Sequence, residues 1–186
     1  MNHFIIGRCI IARSAMAVYQ IDGKTPVIGK GTWVAPSAEI IGDVAIGRDC
    51  YIGFGTVIRG DFGSIRIGDE TLVEENVVIH TAGHTEIGSQ VIIGHMAMIH
   101  DAVIQNRSLI GMMAMICEGA VIGEGSIVAE QTLVRKSQQI PAGKIFAGSP
   151  AALVQDVEPR HTEMLEFGTK VYLDLIKKYH ESFKKI

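Results

Sequence analysis

Aliphatic residues recur along this chain every six positions. From Val34 the series runs through Ile40, Ile46, Ile52 and Ile58, resumes at Ile67, Val73 and Ile79, and resumes again at Ile87, Ile93 and Ile99. One residue is then dropped, and Ile104, Ile110, Ile116, Ile122, Val128, Val134 and Ile140 follow. Four places beyond the aliphatic stands a small or β-branched residue, among them Ala38, Cys50, Thr56, Thr71, Ala97, Val103, Ser108 and Thr132. A period of six fits neither a helix at 3.6 nor a plain strand at 2. It fits an all-β coil in which each hexad is one flat face and three faces close a triangle. The eighteen hexads then make six coils of 18 residues. Neighbouring coils would bond through their backbones at roughly 4.8 Å, with the aliphatic and the small residue filling the triangular prism.

After Pro150 the pattern changes. Apolar residues at 164, 167, 171, 172, 175, 176, 179 and 183 have helical spacing, and Pro159 suits a first helical position. The expected division is an N-terminal extension over 1–15, expected to be disordered, a coil over 16–150 and a helix of the same domain within 151–186. The boundary at 16 rests on "MAVYQIDGKTPVIG", which reads as the beginning of a domain. The predicted helix lies along the prism and covers one face with its apolar stripe.

Composition narrows the function classes. A formal net charge of −3 supplies no basic stripe, which argues against nucleic acid as a partner. No apolar run approaches the ~20 residues of a membrane span. Cys9, Cys50 and Cys117 are odd in number and form no CxxC pair, so a disulfide framework is not expected and a reducing cytoplasm is. Cys50 holds an inward small position. Met96, Met98, Met112, Met113 and Met115 read as packing or subunit contact.

Four of the seven histidines fall within residues 76–103, an apolar, glycine-punctuated segment. His80 follows Ile79 and His100 follows Ile99, so both hold one place in a hexad. They are 20 residues apart, one coil plus a two-residue insertion. Arg59 follows Ile58 one coil earlier, once a three-residue insertion is counted. Arg59, His80 and His100 therefore form one outward column. His95 lies two places after Ile93, on the preceding face and turned away by a corner. A third imidazole would have to come from another copy of the chain. Three neutral imidazoles with an open fourth position are a usual catalytic zinc arrangement, so the spacing suggests a metal site between subunits of a cyclic oligomer. The plain alternative is a set of unrelated surface histidines. His84 reads as a loop residue, and His3, His161 and His180 as solvated ones.

Five stretches, "VIRGDFGSIRIG", "NVVIHTA", "IIGHMAMIH", "LIGMMAMICEGAVIG" and "AGSPA", together resemble the γ-class carbonic anhydrases. The branch associated with phenylacetate degradation and carnitine metabolism looks nearest. The resemblance covers Met16 to about residue 180 and implies a left-handed parallel β-helix. It also implies a homotrimer, with His80 and His100 from one subunit and His95 from the next. The metal implied is zinc, with iron(II) or cobalt as alternatives. A cation held this way brings the pKa of water to about 7, and hydroxide adds to CO2 to give bicarbonate. Arg59 and Asp61 match the family's RGD pair, and Tyr172 matches a helix tyrosine that approaches the site.

The chain departs from the family at several places. Glu74 stands where the family has a Gln that polarises the reacting water, and Glu75 where it has an Asp that pairs with Arg. Leu72 replaces an Asn, and Asp101 follows the last histidine where Gly is common. Phe62 follows Asp61 directly, without the acidic shuttle loop. Two other functions share the coil and the helix: a thioesterase or acyl-transfer accessory acting on CoA thioesters, and a non-catalytic trimeric metal-binding scaffold.

Overall fold

The computed structural model describes residues 17–186; the extension expected over 1–15, with His3 and Cys9, lies outside them. The chain is a left-handed parallel β-helix of about seven turns with one C-terminal helix. One face stacks Trp33–Val34, Tyr51–Ile52, Leu72–Val73, Ile92–Ile93, Leu109–Ile110, Ile127–Val128 and Lys144–Ala147 in parallel register. The other two faces merge into a single sheet, because Glu39–Ile46 and Val57–Ile67 run unbroken round a corner. The histidine face carries Val78–His80, Met98–His100, Met115–Ile116 and Leu133–Val134. The ladder exceeds the six coils read from the hexads because it also takes in the end segments. Ala17–Tyr19 and Val27–Ile28 pair with Glu39–Ile46, and Lys144–Ala147 pairs with Ile127–Val128. End strands keep backbone pairing after the side-chain period has faded. The antiparallel strand Ala152–Asp156 covers the last turn.

The inward aliphatics are buried, with Ile40, Ile52, Ile58, Ile79, Ile93, Ile99, Ile110, Ile116 and Ile122 fully enclosed. Full burial of such a side chain stabilises by about 1.5–3 kcal/mol, so the prism interior supplies much of the core. The expected inward position of Val103 is corrected: Ala102 is buried and Val103 is half-buried. The dropped residue lies in the corner between Ile99 and Ala102, where Asp101 turns the chain with φ 48°. Cys50 is inward as expected and points its thiol at the carbonyls of Gly68 and Arg48. Burial pushes that thiol up to about 11.

Inward hydroxyls donate to the carbonyl of a neighbouring coil: Thr56 to Glu74, Thr71 to Gly88, Ser108 to Gly123. Thr85 is the exception among the described residues, a buried hydroxyl with no partner. A buried unpaired hydroxyl costs about 1–3 kcal/mol. Thr85→Val keeps the shape and removes the hydroxyl, so it should stabilise the fold by about 1 kcal/mol. The measurement is the denaturation midpoint; a lower midpoint would mean that the hydroxyl has a partner.

The C-terminal helix spans Pro159–Ser182 with Pro at its start. It lies on the Trp33 face and buries Ile176, with Leu165, Tyr172, Leu173, Leu175 and Tyr179 packed against the coil. Trp33 meets Tyr51 and Tyr179 at centroid distances of 5.3 and 4.4 Å. The expected stripe is only partly right. Met164, Phe167 and Val171 are 55%, 70% and 48% exposed, while Leu165 and Leu173 are covered instead. An apolar arc wider than the contacting face leaves one edge open. Among the described residues, no helix is long and apolar enough to cross a membrane.

Candidate metal centre

A strand residue that follows an inward isoleucine points outward. Arg59, His80 and His100 all do so, and they are direct register partners on neighbouring strands. The two imidazole centroids lie 5.2 Å apart. Asp61, two residues after Arg59, joins them: the Arg59 guanidinium donates to its Oδ2, and its Oδ1 lies 3.2 Å from His80 Nε2. Burial acts to raise the Asp61 pKa, but Arg59, the carboxylate's own backbone and His80 outweigh it and hold it below the usual value. Phe62 stands 74% exposed beside the column, its ring 6.1 Å from His80.

His95 sits on a corner turn between the helix-bearing face and the histidine face, one step beyond the face expected for it. Gly94 lets that corner stack closely, since a Cβ there would stand 2.8 Å from the Met112 nitrogen. Directly below is the corner of Glu74 and Glu75. The His95 backbone N–H donates to Glu74 Oε2 at 3.1 Å. The His95 ring places Nε2 3.1 Å from Glu74 Oε2 and Nδ1 2.8 Å from Glu75 Oε2. Tyr51 donates to Glu75 Oε1 at 2.7 Å. Tyr172 reaches this edge from the helix, its ring 4.9 Å from that of Tyr51. Burial, then the Glu74 carboxylate, push the Tyr172 hydroxyl above the ordinary tyrosine value; burial and Glu75 do the same to Tyr51.

The chain thus carries two separate clusters. Arg59, Asp61, His80 and His100 share one face, and Glu74, His95 and Tyr172 share one edge. Among the described residues, no three His, Cys, Asp or Glu side chains of one chain gather as a metal-binding group. Within the chain Arg59 pairs with Asp61, while Glu75 turns to His95 and Tyr51. Sequence reasoning missed Tyr51, whose only signal is its place before the inward Ile52, one corner ahead of the carboxylates. His84 is not in a loop: it opens the strand His84–Ile87, with Nδ1 2.9 Å from Ser64 Oγ. His161 accepts from the Glu158 backbone at the helix start, and His180 Nε2 lies 3.2 Å from the Gly31 carbonyl oxygen.

Comparison with known proteins places this geometry in a family. The model of the bacterial transferase hexapeptide, six repeats, matches residues 25–60. The carnitine operon protein CaiE of Escherichia coli K12 is 34% identical over 90% of this chain and 86% of its own length. γ carbonic anhydrase 2 of Arabidopsis thaliana, described as mitochondrial, is 33% identical over 88% of this chain; the chain spans 60% of that plant protein's length. The crystal structure of a hexapeptide transferase family protein from Anaplasma phagocytophilum superposes with a TM-score of 0.85 at 32% identity, covering 88% of this chain and 98% of that one. The chain belongs to the hexapeptide-repeat family, in the group that contains the γ carbonic anhydrases and CaiE.

Proposed function

We propose that the chain is a metal-dependent enzyme of the γ carbonic anhydrase type that hydrates CO2 reversibly at sites between subunits of a homotrimer. One observation carries the reading. The three candidate imidazoles divide into a pair on one face and a single one on the adjoining corner, so two copies can complete what one cannot. The donor set fits a cation such as zinc, iron(II) or cobalt: His80, His95 and His100 are all partly accessible, and His100 sets Nδ1 beside Asp101 and leaves Nε2 as its ligating nitrogen, while the Nε2 atoms of His95 and His80 face Glu74 and Asp61 within one chain, contacts that a bound cation would replace. When bound, the cation supplies Lewis-acid activation of water near neutral pH.

The chain's own residues do the rest. Asp61 fixes Arg59 and faces His80, holding a positive charge at the edge of the column where an anionic product would leave. Glu74, 8% exposed, and Tyr172 line the other half-site and orient the reacting water. Subunit contact is supported by an apolar column beside the histidines, in which Val78, Met98 and Met115 are register neighbours and all exposed. Met96, Met112 and Met113 extend it at the corner. A patch of this kind marks an interaction surface. The unpaired Cys50 and Cys117 suit a reducing cytoplasm.

A second reading, hydrolysis or acyl transfer on CoA thioesters, draws on the similarity to a hexapeptide transferase family protein. A non-catalytic metal-binding trimer is the third. Metal analysis followed by parallel CO2-hydration and thioester-hydrolysis assays separates them. The proposal expects about one metal ion per chain and CO2 hydration that is lost on chelation. Thioester hydrolysis without CO2 hydration would favour the second reading, and stoichiometric metal with neither activity the third.

A further inference from the structure

Asp101 occupies a corner position with φ 48°, a left-handed conformation that glycine adopts freely and that Asn or Asp tolerate better than most residues. A residue that merely turned the chain here would need no carboxylate. Yet both Asp101 oxygens are engaged, and in different directions. Oδ1 accepts from the Thr81 hydroxyl and from the Ala82 and Gly83 backbone N–H groups at 2.9 Å each. This ties down the loop that follows His80. Oδ2 lies 3.3 Å from His100 Nδ1. The side chain is only 13% exposed. At the edge cluster Glu75 Oε2 likewise lies 2.8 Å from His95 Nδ1, although there Glu74 Oε2 also lies 3.1 Å from Nε2.

We infer that Asp101 is a positioning residue for His100: Oδ1 locks the loop below, and Oδ2 holds the imidazole proton on Nδ1, so that Nε2 is presented as the metal-ligating nitrogen. The inference rests on the three-imidazole reading above. A carboxylate beside one ring nitrogen favours the proton there, which fixes the tautomer and the ring orientation of a ligand.

Asp101→Asn separates the two oxygens. Asn tolerates the left-handed backbone, and its Oδ1 still accepts from Thr81, Ala82 and Gly83. Its Nδ2 replaces Oδ2 and faces His100 Nδ1 with a donor, which favours the Nε2–H tautomer. Three measurements on the full-length protein test this: zinc affinity by chelator competition, the His100 tautomer by 15N NMR of histidine-labelled metal-free protein, and the denaturation midpoint. His100→Ala serves as the resonance assignment and as the control. Asp101→Asn should keep the midpoint within a few degrees, convert His100 to Nε2–H and weaken zinc binding by about 10–100-fold. Wild-type zinc affinity in Asp101→Asn, while His100→Ala loses zinc, overturns the inference and leaves the three-imidazole reading standing. Weakened zinc binding without a tautomer change also overturns it, since Asp101 would then act through the loop alone. Retention of zinc in His100→Ala overturns the three-imidazole reading itself.

Discussion

His95→Ala chains and His80→Ala chains should each bind almost no metal alone, and their mixed trimers should regain it. His95 stands on a corner turn with a side chain 42% exposed, and His80 stands on a face beside His100. Neither supports the prism interior, so both variants should fold and assemble. A complete site needs His80 and His100 from one chain and His95 from its neighbour. In a ring assembled at random from equal amounts of the two variants, an interface is complete when a His95→Ala chain supplies the face and a His80→Ala chain supplies the corner. That occurs at about one interface in four over all such rings, and at about one in three in the mixed trimers of a closed cyclic assembly. Co-expression with two different affinity tags, tandem purification of mixed trimers and metal analysis make the measurement. Mixed trimers that remain metal-free would show that the ligands are drawn from within one chain. Stoichiometric metal in the His95→Ala homotrimer would remove His95 from the set directly.

Much of this arrangement was legible in the sequence because a coil converts sequence distance into height. Once insertions are counted, residues one coil apart are neighbours, and this alone aligned Arg59, His80 and His100. The same arithmetic failed wherever a corner changed length. The dropped residue between Ile99 and Ile104 could lie in the corner or in the strand; Asp101 accommodates it in the corner, which sends Ala102 inward. His95 was placed by period on a face but belongs to the turn, because a six-residue repeat divides between strand and corner and the period cannot say where one ends. Contacts between faces left no trace in the repeat. Tyr51 and Glu75 are 24 residues apart, more than one coil, and meet because both project beside the same corner. The helix stripe showed which side is apolar. It did not show that Leu165 and Leu173 pack while Met164, Phe167 and Val171 stay open, since that depends on where the helix lies on the prism.

Glu74→Gln should raise CO2 hydration by about tenfold, equivalent to about 1.4 kcal/mol in the barrier, with metal content unchanged. The two side chains have nearly the same shape, and the residue is held from several directions. Its carbonyl accepts from Thr56 at 2.7 Å, its Oε2 accepts from the His95 backbone at 3.1 Å, and Tyr172 packs beside it. A glutamine can keep the backbone contact through its amide oxygen and turn its NH2 toward the reacting water. A carboxylate can only accept from that water, and so holds it with its hydrogens toward Glu74 and constrains the lone pair that must meet CO2. An amide offers a donor as well and relaxes that constraint. The effect should appear in kcat more than in KM, because the substitution acts on orientation in the transition state rather than on capture of CO2. A large fall in rate would instead identify Glu74 as a working base, with proton transfer routed through its carboxylate in place of the missing acidic loop. An unchanged rate would remove Glu74 from the reacting centre and leave its hydrogen bond to His95 as its whole contribution.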